Sequence, residues 1–325
     1  MLSEDRHMKI GRSLTVLLMF VLIASLCAVA QDKDRKKKSD EPKVQTPVEV
    51  KANVMVLDPK NELVNEIKIE DLKVFEDDVE QKLTSFEKKD PLSLALLVDN
   101  SGSLRSQIGT IINVAKLAVF NLDADDEGMV IRFISSDKIE VLQEWTPNKA
   151  KMIGSIENLY VEGGQSAVSD ALFLAVERIK EMEKSDRSKK YAVLLVSDCE
   201  DINSYYSFKD LLKSIGNSGV QIFPFAMMSE IKATSSKSAR TFASTVSLRT
   251  GGNVYFHEKK YTQDQVLANL KAFFIEMRSQ YVISYTSTNT ARDSTRKLRV
   301  EVKDGANGEK RQGLVRDSYY VPEKY

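Results

Sequence analysis

A chain of 325 residues with 42% apolar and 29% charged residues can bury a sizeable core, as one large domain or two smaller ones. Lys plus Arg and Asp plus Glu both number 47, which removes the basic excess on which nucleic-acid binding draws. Gly at 14 and Pro at 7 exclude collagen-like and low-complexity chains.

Residues 1–30 carry the three parts of a secretory signal. Arg6, Lys9 and Arg12 form a charged start, and residues 14–30 are an apolar run broken only by Thr15 and Ser25. Ala28-Val29-Ala30 then offers small residues for cleavage. Met8 serves equally well as a start. An uncleaved anchor is the alternative, but the run is short for a span, and Leu26 is too bulky to favour lipid attachment at Cys27. Cleavage near Ala30 leaves His257 as the one histidine and Cys199 as the one cysteine. That excludes an intrachain disulfide and a Cys/His zinc site, and leaves little for a Ser-His-Asp triad. The expected location is secreted, periplasmic or in the cell envelope.

Residues 31–47 are a charged linker, with Asp32-Lys33-Asp34-Arg35-Lys36-Lys37-Lys38 reading as solvated chain. From Val48 the pattern changes to period two, with Val48, Val50, Ala52, Val54 and Val56 on one face. Residues 72–75 and 82–86 form two more strands around an acidic turn at Asp77-Asp78. Three strands need partners from elsewhere in the chain.

From Leu92 the texture is α/β. Residues 92–98 are a nearly continuous apolar run, as expected of a strand buried on both faces, and 108–122 have helical spacing. Residues 129–134 and 139–145 form a strand pair. Then come a helix over 167–182, a buried strand over 191–196, a helix over 208–215, a strand over 220–226, a helix over 239–248 ended by Gly251-Gly252, a short strand over 254–256 and a helix over 264–278. This alternation predicts a doubly wound, mainly parallel sheet covered on both faces. Strands return over 281–285, 297–302 and 314–320. The fold class is therefore α/β, with a Rossmann-like unit over 91–278 inserted in a small β-sandwich-like module made of residues 48–90 and 279–325.

The first buried strand ends in Asp99-Asn100-Ser101-Gly102-Ser103 just before a helix. Ligands of open parallel sheets bind at that end of the strands. One carboxylate and two hydroxyls are hard donors suited to Mg²⁺, Mn²⁺ or Ca²⁺. The alternative is that Ser103 caps the helix and Asp99 ties off the strand. As a hydrophilic loop at the sheet edge, this segment is expected to add little to the core. Gly163-Gly164-Gln165-Ser166 opens a later helix with another hydroxyl, and Leu194-Leu195-Val196-Ser197-Asp198 ends the next buried strand in a second carboxylate.

Taken together these segments resemble the von Willebrand factor A domain and its metal-ion-dependent adhesion site. The resemblance assigns Asp99, Ser101, Ser103, Ser166 and Asp198 as metal ligands, over roughly residues 91–278. The flanks Ile69-Glu70-Asp71-Leu72-Lys73-Val74-Phe75-Glu76-Asp77 and Val315-Arg316-Asp317-Ser318-Tyr319-Tyr320-Val321-Pro322 resemble an exported bacterial, acidobacterial-type subgroup of such proteins. Three departures stand out. Ser166 replaces a threonine, losing the methyl that stiffens its rotamer; Cys199 stands where glycine is common; and Asp77-Asp78 and Asp317-Ser318 replace Asp-Gly and Lys-Gly.

The resemblance implies a non-enzymatic, adhesion-type binding protein with a divalent cation, Mg²⁺ first, capturing a carboxylate of a protein partner. Nucleic acid and membrane are not expected partners beyond the signal segment. The alternatives are an envelope protein whose metal stabilises the fold, and a metal-assisted hydrolase, for which no general base and no Gly-x-Ser-x-Gly element is found. Tyr205 and Tyr206 could rim the site. Cys199, His257 and Trp145 read as structural, and Glu200 and Asp201 as solvent-facing charges.

Overall fold

The computed structural model describes residues 47–89, 91–216, 218–258 and 262–323. The signal and most of the charged linker lie outside them, as does the expected cleavage site. In chain order the strands and helices are β1 (Glu49–Leu57), β2 (Leu72–Glu76), β3 (Val79–Gln81), β4 (Leu83–Glu87), β5 (Leu92–Asp99), α1 (Ile108–Phe120), β6 (Glu127–Phe133), β7 (Ile139–Thr146), α2 (Lys149–Glu157), α3 (Val168–Ser185), β8 (Lys190–Ser197), α4 (Phe208–Ile215), β9 (Gln221–Met227), α5 (Ala233–Thr250), β10 (Tyr255–His257), α6 (Gln263–Ser279), β11 (Tyr281–Thr286), β12 (Ser294–Val302), β13 (Gln312–Leu314) and β14 (Ser318–Val321).

The central sheet runs β10-β9-β8-β5-β6-β7, parallel except for β7 at one edge. Period two explains why its middle strands are apolar on both faces, with Ser93 of β5 buried by donating to Glu127 Oε1 at 2.6 Å. Leu92, Leu94, Leu96 and Val98 of β5 enter a core shared with α1, α2 and α6. Ala95 and Leu97, on the opposite face, enter one shared with α3, α4 and α5. The α/β unit is doubly wound, as the alternation of strands and helices predicts. Among the described residues no helix is long and apolar enough to cross a membrane.

Two antiparallel sheets flank this unit, ordered β13-β1-β11-β4 and β14-β12-β2-β3. Each combines strands from before Leu92 with strands from after Ser279, and their inner faces share one core from Val50, Val54, Val74, Ile283, Val300 and Val321. The other face of β1 meets the α/β unit through an ion pair of Lys51 with Glu183 at 2.7 Å and a hydrogen bond from Asn53 Nδ2 to Gly219 O at 3.0 Å. Buried Arg316 donates to the carbonyls of Ser218 and Lys51, both at 2.8 Å.

Two sequence expectations are corrected. Residues 314–320 are not one strand; β13 and β14 lie in different sheets, separated where Arg316 turns to the α/β unit. Helix α2 has no counterpart in the expected elements, because only Met152 and Ile156 of its nine residues are buried, too few for a periodic signal. At the β2–β3 turn, Asp77 and Asp78 adopt φ of 47° and 67°. Asp77 offsets this left-handed backbone by donating its N–H to Lys297 O and accepting from Lys297 N.

His257 is 1% exposed and lies tilted against Phe225 with centroids 5.3 Å apart. Burial lowers its pKa from 6.5 to about 4. The folded state keeps the ring neutral while the unfolded chain protonates it, so this stability is fully present above pH 6.5 and lost as pH falls toward 4. The loss amounts to about 3 kcal/mol. His257→Gln should flatten urea-unfolding stability between pH 7 and 4.5; an unaltered slope would locate the acid sensitivity elsewhere.

Candidate functional site

All five candidate ligands sit at the carboxyl end of the central sheet. Asp99 closes β5, and the chain turns through Ser101 into a 3₁₀ helix, Gly102–Gln107. Asp198 follows β8, the parallel neighbour of β5, and Ser166 precedes α3. Adjacent parallel strands thus deliver the two carboxylates side by side.

Hydrogen bonds join the three segments. Asp99 Oδ1 accepts from Ser101 N at 2.9 Å. Asp99 Oδ2 accepts from Ser166 Oγ at 3.0 Å and from Ser197 Oγ at 2.6 Å. The hydroxyls of Ser101 and Ser103 are 3.1 Å apart, and Asp198 Oδ1 accepts from Glu200 N at 3.0 Å. Gly102 N donates to Gly164 O at 3.1 Å. Gly164 has φ of +106°, and a Cβ there would stand 2.8 Å from a methyl of Ile134, so only glycine allows this approach. The five residues that the resemblance nominates are therefore brought together, Asp99, Ser101, Ser103 and Ser166 through hydrogen bonds and Asp198 as the charge beside Asp99.

Asp99, Ser101, Ser166 and Asp198 are buried and Ser103 is exposed. Burial first, and repulsion by Asp198 second, push the Asp99 carboxyl from 3.8 up to about 7, against hydrogen bonds from Ser197 and Ser101 that lower it. Asp198 is also raised, mainly by burial. Two facing carboxylates withdrawn from water are costly unless protonated or neutralised by a cation. Among the described residues no group of three or more His, Cys, Asp and Glu side chains is placed to hold a metal, so a cation here would draw on hydroxyls. Two carboxylates and three serine hydroxyls form an all-oxygen set that fits a hard divalent ion.

The first loop is not the marginal edge expected from its polarity, since Asp99 is 0% exposed and anchors three donors. Asp201 is not a free solvent-facing charge; it is half-buried and accepts from Ser169 Oγ and Ser204 Oγ. Cys199 is buried with φ of 60°, so it occupies a backbone suited to glycine despite its side chain. Its N–H donates to Ser197 Oγ at 2.9 Å. Trp145 is half-buried against the core. The sequence reading missed two supports, Ser197 beneath Asp99 and Asp170 at the start of α3. Ser197 directly preceding Asp198 was the available signal.

Residues 94–200 match the family described as the von Willebrand factor type A domain, a span that contains all five candidate ligands. An uncharacterized protein of Synechocystis sp. is 30% identical over 124 residues, 38% of this chain; the match spans 29% of that relative's length. Three solved structures are similar in fold alone. BatB, a conserved hypothetical protein from Bacteroides thetaiotaomicron, has a TM-score of 0.41 at 13% identity, covering 57% of this chain and 96% of its own. Proximal thread matrix protein 1 from the mussel byssus has a TM-score of 0.48 at 14% identity, covering 60% and 50%. The SpRpn10 VWA domain has a TM-score of 0.38 at 12% identity, covering 56% and 94%.

Proposed function

We propose that this protein is an exported, non-enzymatic binding protein that captures a carboxylate of a protein partner at a divalent-cation site. The observation that carries the reading is the convergence of Asp99, Ser101, Ser103, Ser166 and Asp198 from three separate segments at one end of the sheet, with all but Ser103 buried. A cation held by these five residues, Mg²⁺ in the first place, would supply an electrophilic position for an acidic group. Two carboxylates at most neutralise it, and hydroxyls add no charge. The match of residues 94–200 to a domain that generally mediates protein–protein interaction agrees with this. Export rests on residues 1–30 alone.

Substitutions at Ser166 test the metal site. Ser166→Thr keeps the hydroxyl and restricts its rotamers, so Mg²⁺ affinity should be preserved or slightly tightened. Ser166→Val keeps the bulk and removes the oxygen, and should weaken binding by about tenfold or more. Calorimetric titration of Mg²⁺ into the metal-stripped proteins decides it. No heat of binding in the wild type, or equal affinity in Ser166→Val, would reject the assignment.

A further inference from the structure

The loop after Asp198 is tied down along its length, yet it displays a large aromatic ring to solvent. Ser166 O accepts from Ile202 N and Asn203 N, both at 2.9 Å. The buried carboxylate of Asp170 accepts from Tyr205 N and Tyr206 N, both at 2.8 Å. On this fixed backbone Tyr205 is 83% exposed. Its ring meets Tyr206 edge-on, with centroids 5.2 Å apart, and Tyr206 stacks on Phe173 at 4.0 Å. Beside the rings lies a depression of about 410 Å³ whose lining includes Ile139 and Leu174. The charged residues lining it, Asp170 and Glu177, are both acidic. Each is already engaged, Asp170 by the two amides and Glu177 by Ser214 Oγ at 2.7 Å and Lys180 Nζ at 3.0 Å.

We propose that this aromatic shelf is the second half of the partner-binding surface. It takes a large apolar or aromatic side chain from the same protein segment whose carboxylate the cation site captures. The inference rests on the adhesion reading above. Charge divides the labour: among the described residues no lysine or arginine lines the depression to draw a partner's carboxylate away from the cation, while the ring faces favour carbon. Rigid aromatic side chains on a constrained backbone lose little freedom on binding, which suits Tyr205 to recognition.

The test uses synthetic Gly/Ser peptides on a solid support, each with a single Asp, with or without Phe one to five residues away. The full chain is applied in Mg²⁺ and again in chelator. Wild type should retain the best Asp-plus-Phe peptide about five- to tenfold more strongly than Asp alone. Tyr205→Ala should lose that preference with its calorimetric Mg²⁺ affinity unchanged, and Tyr205→Phe should keep it. No preference in wild type, or the same preference in Tyr205→Ala, overturns the shelf and leaves the cation site standing. No chelator-sensitive retention of any Asp peptide overturns both.

Discussion

Asp99→Asn should lower divalent-cation affinity by at least about a hundredfold, while raising the stability of the metal-free protein above neutral pH. Both outcomes have one cause. Asp99 is fully buried beside Asp198, and its carboxyl is pushed up to about 7. A carboxyl whose folded pKa is raised contributes stability that is fully present below its unfolded value of 3.8, and this is lost as pH rises through about 7. The amide carries no charge to desolvate and keeps an oxygen acceptor for Ser101 N. Asp99→Ala is the poorer probe, because it strands the hydroxyls of Ser166 and Ser197 in a buried site. Mg²⁺ calorimetry with metal-free thermal melts at pH 6 and 8 reads both effects. Unchanged metal affinity would sink the adhesion-site reading. A lower metal-free melting temperature at pH 8 would show that the hydrogen bonds of Asp99 outweigh its repulsion by Asp198.

Arg296→Met should destabilise the protein by about 3–5 kcal/mol. Arg296 and Glu76 form an ion pair at 3.0 Å, each side chain 1% exposed, in the core between the two antiparallel sheets. Glu76 accepts also from Tyr285 Oη at 2.9 Å, Ser287 Oγ at 2.7 Å and Tyr319 Oη at 2.6 Å. Arg296 donates to Ser287 Oγ at 2.7 Å. These bonds bind β2 to β11, β12 and β14, uniting strands from the two ends of the chain. Removing the guanidinium leaves Glu76 charged without its counter-ion in an apolar surround, where each ion costs several kcal/mol to desolvate. The paired change Arg296→Met with Glu76→Leu removes both charges and should recover most of the loss. Urea unfolding of the three proteins checks this. A loss below about 1 kcal/mol in the single variant would mean that the three hydroxyls alone satisfy Glu76.

Much of the α/β unit was legible because its signals are local. A strand buried on both faces reads as a nearly continuous apolar run, as residues 92–98 and 191–196 do with Ser93 the exception, and a helix covering such a sheet must repeat near 3.6 residues. Oxygen-bearing side chains stand out where they follow apolar strands, as at Asp99 and Asp198, but the set of five was nominated by the resemblance, since Ser166 lies in a Gly-rich loop. The positive φ of Cys199 was signalled only indirectly, by its standing where glycine is common.

Tertiary structure decided what depends on distant partners. Arg296 lies in the charge-rich run Arg292-Asp293-Ser294-Thr295-Arg296-Lys297, and nothing local marks it for burial. It enters the core because it falls on the inward register of β12 with Leu298 and Val300, where Leu298 is the residue opposite Glu76 and the Arg296 guanidinium reaches the Glu76 carboxylate at 3.0 Å. The split of residues 312–321 into two sheets follows from the tether of Arg316 to Lys51, more than 200 residues away. Asp170 and Asp201 look like ordinary surface acids until α3 and the loop after β8 are brought together. Sequence determined most of the strands and helices, because solvent exposure imposes periodicity on each element separately, and the resemblance nominated the ligands. Only the folded chain decided which polar side chains are buried and what satisfies them, because that depends on groups scores of residues apart arriving within 3 Å of one another.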